Sequence, residues 1–256
     1  MIAFADGALR ARGWVTFENL TCLAATESSN DLAREFIDLY FEEDQLLPCT
    51  VILAREQRGA RGRKGRWVAP AGRGLYFTFV RRAVPEEPLS VLPIAVARWL
   101  RDALEAEAGI PVLLKWPNDL YVGRRKLAGI LTESCTQGKD TYVAVGIGLN
   151  VCGAAADLGL PGATTVEEEA RRPVALAPLA QAILDHLDRE LARPQWEKEA
   201  ALWEKRSAHR PGDAMTVRRE GTEVSGAYAG LTDDGFLRLR TPGGEEVLTS
   251  GEVTRW

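Results

Sequence analysis

Metal ligands are scarce in this chain. It holds two histidines, His186 and His209, and four cysteines, Cys22, Cys49, Cys135 and Cys152, none of them in a CxxC pair. That set argues against a structural zinc site and for reduced, mostly buried thiols. No apolar run reaches the ~18 residues that a membrane helix needs. The N-terminus has acids and arginines where a secretory signal needs an apolar stretch, so a cytoplasmic protein is expected. A surplus of positive charge is also missing. The formal net charge is −4, whereas a general nucleic-acid binder is usually basic overall. Neither a GxxxxGK[ST] phosphate loop nor an internal repeat occurs.

What is present suits a folded enzyme. The 256 residues, 46% of them hydrophobic, suffice for one large domain or for one plus a small module. Trp14 to Leu20 alternates and predicts an early strand. Thr26 to Asp31 is dense in N-cap residues and precedes Leu32, Phe36, Ile37 and Tyr40, which share a helical face. Buried strands are expected at Thr50–Ala54 and Leu75–Val80, and an amphipathic helix at Leu89–Ala108. Lys115 begins a hairpin whose turn is Gly123-Arg124-Arg125 and whose return strand runs from Leu127 to Thr132. Thr141–Val151 reads as an apolar strand, Gly153–Pro173 as a polar connection, and Val174–Ala208 as helices interrupted near Pro194. After Arg210-Pro211-Gly212-Asp213 the pattern changes to short strands at Met215–Val217, Glu223–Ala229, Phe236–Arg240 and Glu246–Leu248. Their spacing of about ten residues suits a small antiparallel barrel. A boundary is therefore placed near His209, dividing the chain into 1–208 and 209–256.

Four segments bear on chemistry. In Lys115-Trp116-Pro117-Asn118-Asp119-Leu120-Tyr121, Pro117 can end a strand but cannot sit inside one. Asn118 and Asp119 shape tight turns by bonding to nearby backbone. Lys126-Leu127-Ala128-Gly129-Ile130 follows, with Lys126 beside the Asn-Asp corner. Glu56 to Trp67 is a second segment, with three glycines and five cations. Those cations cannot be buried unpaired, so the loop is exposed or wraps an anion. Arg forks suit phosphate and carboxylate, and the Trp67 face suits a base. By itself this loop fits RNA binding or simple solvation as well as closure over a nucleotide. Ser28-Ser29-Asn30 at a helix start reads first as an N-cap. Gly146-Ile147-Gly148-Leu149-Asn150 mimics a dinucleotide fingerprint, but Val151 occupies the third glycine position and no helix pattern follows directly, which rejects a Rossmann reading.

Taken together and in this order, the segments resemble the biotin protein ligases across residues ~25 to 255. The family's serine-threonine-asparagine motif appears as Ser28-Ser29-Asn30, its glycine/arginine loop as Gln57 to Trp67, and its Gly-Ile-Asn segment as Gly148-Leu149-Asn150. The Lys-Trp-Pro-Asn-Asp and Lys-Leu-Ala-Gly motifs are intact. Gly251-Glu252-Val253 matches the Gly-Glu-Val strand of the family's C-terminal barrel. There are departures: Ser29 stands where threonine is usual, Ala60 replaces a loop glycine, Arg66 abuts Trp67 with one residue missing between them, and Arg255 lies one residue early. Fewer than thirty residues precede Ser28. A DNA-binding winged helix, which some members carry, needs roughly twice that, so no DNA partner is expected.

The resemblance implies an α+β fold. Its central sheet is mixed but largely antiparallel and flanked by helices, as in the class II aminoacyl-tRNA synthetase-like biotin/lipoate ligases, with a small Src-homology-3-like C-terminal barrel. It implies an ATP-dependent biotin protein ligase using biotin, ATP and Mg²⁺, with a biotin carboxyl carrier protein as acceptor and a homodimer as one possible state. No metal-ligating residues are expected. Lys126, Arg63 and Arg66 would stabilise charge at the α-phosphoryl group. Ser28, Ser29, Asn30, Gln57, Arg61, Gly62, Arg63, Lys126, Gly129 and Ile130 would bind biotin. Arg61, Arg63, Arg66, Trp67, Asn118, Asp119, Lys126 and Asn150 would bind ATP, with Asp119 orienting Lys115 or acting through Mg²⁺. A lipoate ligase is the alternative enzyme, disfavoured by the polar Ser28, Ser29 and Gln57. A non-catalytic RNA-binding module is the alternative of another class, and it leaves Lys126 and the Asn-Asp corner unexplained.

Overall fold

The computed structural model describes residues 9, 13–63, 65–159 and 161–256. Lys64, counted among the loop cations, and the first eight residues lie outside this set. In chain order the elements begin β1 (Asn19–Leu23), α1 (Ser29–Glu42), β2 (Thr50–Ala54), β3 (Arg61–Gly62), β4 (Gly65–Arg66), β5 (Gly74–Arg82) and α2 (Leu92–Ala108). They continue with β6 (Leu113–Lys115), β7 (Asp119–Val122), β8 (Arg125–Gln137), β9 (Asp140–Asn150), α3 (Val166–Ala170), α4 (Leu176–Ala192) and α5 (Trp196–Glu204). The last five strands are β10 (Ala214–Arg219), β11 (Thr222–Leu231), β12 (Leu237–Thr241), β13 (Gly244–Leu248) and β14 (Glu252–Arg255).

The larger sheet runs β1-β2-β5-β9-β8-β7-β6. Its β1–β2 ladder is parallel and the others are antiparallel, so the sheet is mixed and largely antiparallel as expected. Both faces are covered, and the period-two pattern of the central strands divides between them. Val51, Leu53, Phe77, Phe79, Val143 and Val145 join the main core with α2 and α4. The intervening Ile52, Val80, Tyr142 and Ala144 pack with Ala33 and Ile37 of α1. This two-sided burial explains why these strands read as continuous apolar runs. Truncating Phe77 or Phe79 to Ala is expected to cost about 3–5 kcal/mol.

β10 to β14 form one antiparallel sheet, ordered β13-β12-β11-β10-β14. Its apolar residues Met215, Val217, Leu237 and Leu239 belong to the same cluster as the α2 and α4 core. Trp116 Nε1 donates to Gly235 O at 3.0 Å, tying the hairpin corner to this sheet.

Two expectations need correction. The first strand begins at Asn19, not Trp14. The amides of Val15, Thr16 and Phe17 donate instead to the carboxylate of Asp188 in α4, each at 2.8 Å. A buried charged acceptor takes the donors that a strand neighbour would have used. The polar connection is also not structureless: it contains α3, opened by a capping box between Thr165 and Glu168. The T-x-x-E signal was in the sequence.

Candidate functional site

The site lies on a strip of sheet that glycines leave bare on β9 and β8. Gly148 of β9 pairs with Gly129 of β8, Gly129 with Asp119 of β7, and Asp119 with Lys115 of β6. This row crosses four strands, and neighbouring strands lie about 4.8 Å apart. A Cβ on Gly148 would lie 2.6 Å from the Trp67 ring, and one on Gly129 would lie 3.2 Å from the same ring and 3.3 Å from Lys126 Nζ. A Cβ on Gly146 would collide with the amide of Asn30. Here glycine gives close approach to a sheet face, not turn geometry.

Above the strip is an open cleft of about 250 Å³. The structure brings into its lining Ser28, Ser29, Asn30, Gln57, Arg61, Gly62, Arg63, Arg66, Trp67, Asn118, Asp119, Lys126, Gly129 and Ile130. One predicted residue stays outside. Asn150 is 1% exposed; its side-chain amide donates to Thr164 O at 3.2 Å, and its buried side-chain oxygen has no partner among the described residues. Asn150 thus does not line the cleft.

At one end of the cleft, polar groups are locked together. Ser28 caps α1, its hydroxyl accepting from Asp31 N. Ser29 Oγ lies 2.7 Å from Thr78 Oγ1 and accepts from Gln57 Nε2 at 3.1 Å, while Gln57 Oε1 accepts from Ser29 N at 3.0 Å. Thr78 Oγ1 donates to Asn30 Oδ1 at 2.7 Å, and Asn30 Nδ2 donates to Glu133 Oε2 at 2.7 Å. Ser29, Asn30 and Thr78 are all buried, so their orientations are set before any ligand arrives. Gln57 is itself anchored, its amide donating to Ala69 O at 3.0 Å.

The glycine/arginine loop folds back as the β3–β4 hairpin over this end. Arg61 pairs with Asp31 and with Glu133, the latter at 3.1 Å. Arg63 Nη1 donates to Gly251 O at 3.1 Å, joining the loop to the turn before β14. Arg66 Nη2 donates to Arg58 O at 2.7 Å, within the loop. Trp67 reaches the cleft despite the shorter spacing, its amide donating to Ala60 O at 2.8 Å.

Further along the strip, Lys126 Nζ lies 2.6 Å from Asp119 Oδ1 and 5.5 Å from the centre of the Trp67 ring. Asp119 therefore holds Lys126, which corrects one of the two roles expected for it, that of orienting Lys115. The correction has a simple cause: Lys115 pairs with Asp119 across a ladder, but its ammonium turns to aromatic faces. It lies 5.1 Å from the Tyr121 ring and 5.7 Å from the Trp256 ring. Asn118 Nδ2 donates to Ile130 O and Ile130 N to Asn118 O, which pins the Asn-Asp corner to β8. Among the described residues, no group of three or more His, Cys, Asp or Glu side chains could hold a metal ion.

Several lining or supporting groups went unread in the sequence. Thr78, a lone hydroxyl in an apolar strand, was a visible anomaly. Asp31 and Glu133, which clamp Arg61, gave no local signal. Lys115 and Glu252 also line the cleft, and Glu252 arrives from the C-terminal sheet.

Residues 24–150 match the model of the biotin/lipoate A/B protein ligase family, and residues 212–256 match that of the biotin protein ligase C-terminal domain. A biotin–[acetyl-CoA-carboxylase] ligase of Paracoccus denitrificans is 36% identical over 219 residues, spanning 79% of this chain and 88% of that protein. One of the same name from Mycobacterium tuberculosis is 30% identical, spanning 79% of this chain and 77% of its own. A biotin protein ligase from Aquifex aeolicus, solved with biotin and ATP, superposes with a TM-score of 0.75 at 27% identity, covering 93% of this chain and 98% of that one.

Proposed function

The chain belongs to the biotin protein ligases of the biotin/lipoate A/B protein ligase family, and from that premise we propose how its cleft works. It activates biotin with ATP as biotinyl-5′-AMP and transfers the biotinyl group to a lysine of a biotin carboxyl carrier protein. A biotin carboxylate oxygen attacks the α-phosphorus, the bond to the bridging oxygen breaks, and pyrophosphate leaves with the electron pair. The carrier amine then attacks the mixed anhydride carbonyl and AMP departs. Neither step needs an enzyme nucleophile. The protein's task is to hold two anions together and to stabilise charge at phosphorus.

The observation that carries this reading is the Lys126–Asp119 pair beside the bare Gly129–Gly148 floor. Asp119 holds the ammonium where a phosphoryl group on the strip would meet it. Ser29, Asn30 and Gln57 offer fixed donors and acceptors to a ureido ring, which favours biotin over lipoate. Arg61, Gly62, Gly129 and Ile130 complete the biotin side. Arg63 and Arg66 close from the loop, and Trp67 and Asn118 serve the adenylate, with Asn150 behind them. Mg²⁺ would enter with ATP, held mainly by phosphates and water.

The same reading divides the chain into a catalytic part, 1–208, and a C-terminal part, 209–256. It places the protein in the cytoplasm, beside ATP and a carrier, and makes a dimer through the central sheet the state to look for by sedimentation. No helix among the described residues is long and apolar enough to cross a membrane. The direct test is biotin-dependent exchange of pyrophosphate into ATP. Exchange with lipoate alone, or none, would end the biotin reading.

A further inference from the structure

The Lys115 ammonium has an unusual setting. Lys115 is 8% exposed and lines the cleft. Among the described residues it forms no ion pair, and its recorded hydrogen bond is a long one, 3.5 Å to the Tyr121 hydroxyl. Otherwise it faces the rings of Tyr121 and Trp256. Asp119 and Glu252 are the acids near it, and Asp119 is already held by Lys126. A buried cation without a carboxylate is costly unless an anion joins it in the working state.

Its position says which anion. The row Gly148, Gly129, Asp119, Lys115 spans three strand spacings, about 14 Å. The Ser29–Asn30–Gln57 cluster lies past the β9 end of the row, by Thr78 of β5 and Gly146 of β9, with Lys126 beside Gly129 and Lys115 at the far end. In-line displacement at phosphorus puts nucleophile and leaving group on opposite sides. With biotin held at the first end and Lys126 at the α-phosphoryl group, the departing oxygen points toward Lys115.

We propose that Lys115 is a further catalytic residue that receives the departing pyrophosphate, and that Trp256 positions it. This rests on the adenylation reading above. As the α–β bridging bond breaks, the electron pair moves onto the pyrophosphate oxygen and the ammonium neutralises it without giving up a proton. Trp256 is fixed for this task. Its ring packs edge-on against Tyr121 at 5.5 Å and His209 at 5.0 Å. Arg124 lies over the ring at 4.9 Å and donates to Trp256 O at 2.7 Å. Trp256, just after β14, thus joins Glu252 of the C-terminal sheet beside Lys115.

The test separates the half-reactions in the full-length protein. For Lys115→Met, the Michaelis constant for pyrophosphate in the exchange reaction should rise about tenfold or more. Transfer from synthetic biotinyl-5′-AMP to the carrier should stay within about twofold of the parent, since no pyrophosphate takes part. Lys115→Arg, which keeps the charge, should recover part of the loss. Trp256→Leu leaves the lysine in place and should raise the same constant by a smaller factor, with Trp256→Phe closer to the parent; this pair serves if Lys115→Met does not fold. Equal losses in both half-reactions, or an unchanged pyrophosphate constant, would overturn the proposal. A parent protein with no biotin-dependent exchange would overturn the ligase reading instead.

Discussion

His209 should make the protein acid-labile in a way that one substitution removes. Its ring lies between Tyr228, at 5.6 Å, and Trp256, at 5.0 Å, and the residue is 3% exposed. Among the described residues, neither ring nitrogen has a hydrogen-bond partner. Burial, reinforced by the nearby Lys115 charge and opposed by Asp213, pushes the imidazole down from 6.5 to about 4. The sign follows from proton counting. Between those two values the unfolded chain binds the proton and the fold does not, so stability is full above about 6.5 and falls as pH drops toward 4. At 1.36 kcal/mol per pH unit of separation, the loss is about 2 kcal/mol at pH 5 and about 3 kcal/mol at pH 4. Other groups titrate in this range, so the useful quantity is a difference between variants. His209→Phe keeps a ring between Tyr228 and Trp256 and removes the titration. Thermal unfolding of both proteins from pH 8 to pH 4 should show the parent losing about 4–8 °C more than the variant by pH 5. Parallel pH profiles would show that His209 is not held neutral by the fold, and the argument would be wrong.

Three other perturbations probe the cleft. Lys126→Ala removes the ammonium beside the floor and should slow adenylation by about a hundredfold or more. Its side chain is 32% exposed, so the melting temperature should change little, and near-normal turnover would contradict its role. Gly148→Ala puts a methyl where the Trp67 ring now lies. Calorimetric affinity for biotinyl-5′-AMP should fall about tenfold or more, and unchanged affinity would mean that the ring moves freely. Arg63→Gly cuts the link from the loop to Gly251. The adenylate should escape faster, so that labelling of bystander lysines rises relative to labelling of the carrier; an unchanged ratio would remove Arg63 from the site.

Much of this protein was legible without coordinates because its signals are local. The apolar runs at Thr50–Ala54 and Thr141–Val151 report strands buried on both faces. The N-cap at Ser28, Pro117 at the corner and Gly123 in the turn act over a few residues, and the structure places all three as expected. The order of motifs was enough to suggest the family, since few proteins need those residue types in that sequence. Tertiary structure decided everything that depends on partners far along the chain. Asp188 takes the amides of residues 15–17 from more than 170 positions away, which moved the first strand. The fold bonded Lys126, expected only to sit beside the Asn-Asp corner, to Asp119 and turned Lys115 toward Trp256. It also kept Asn150 out of the cleft lining, bonded to Thr164 O. Residue type limits which bonds a side chain can make, but burial and competing partners choose among them, and those exist only once the chain has folded.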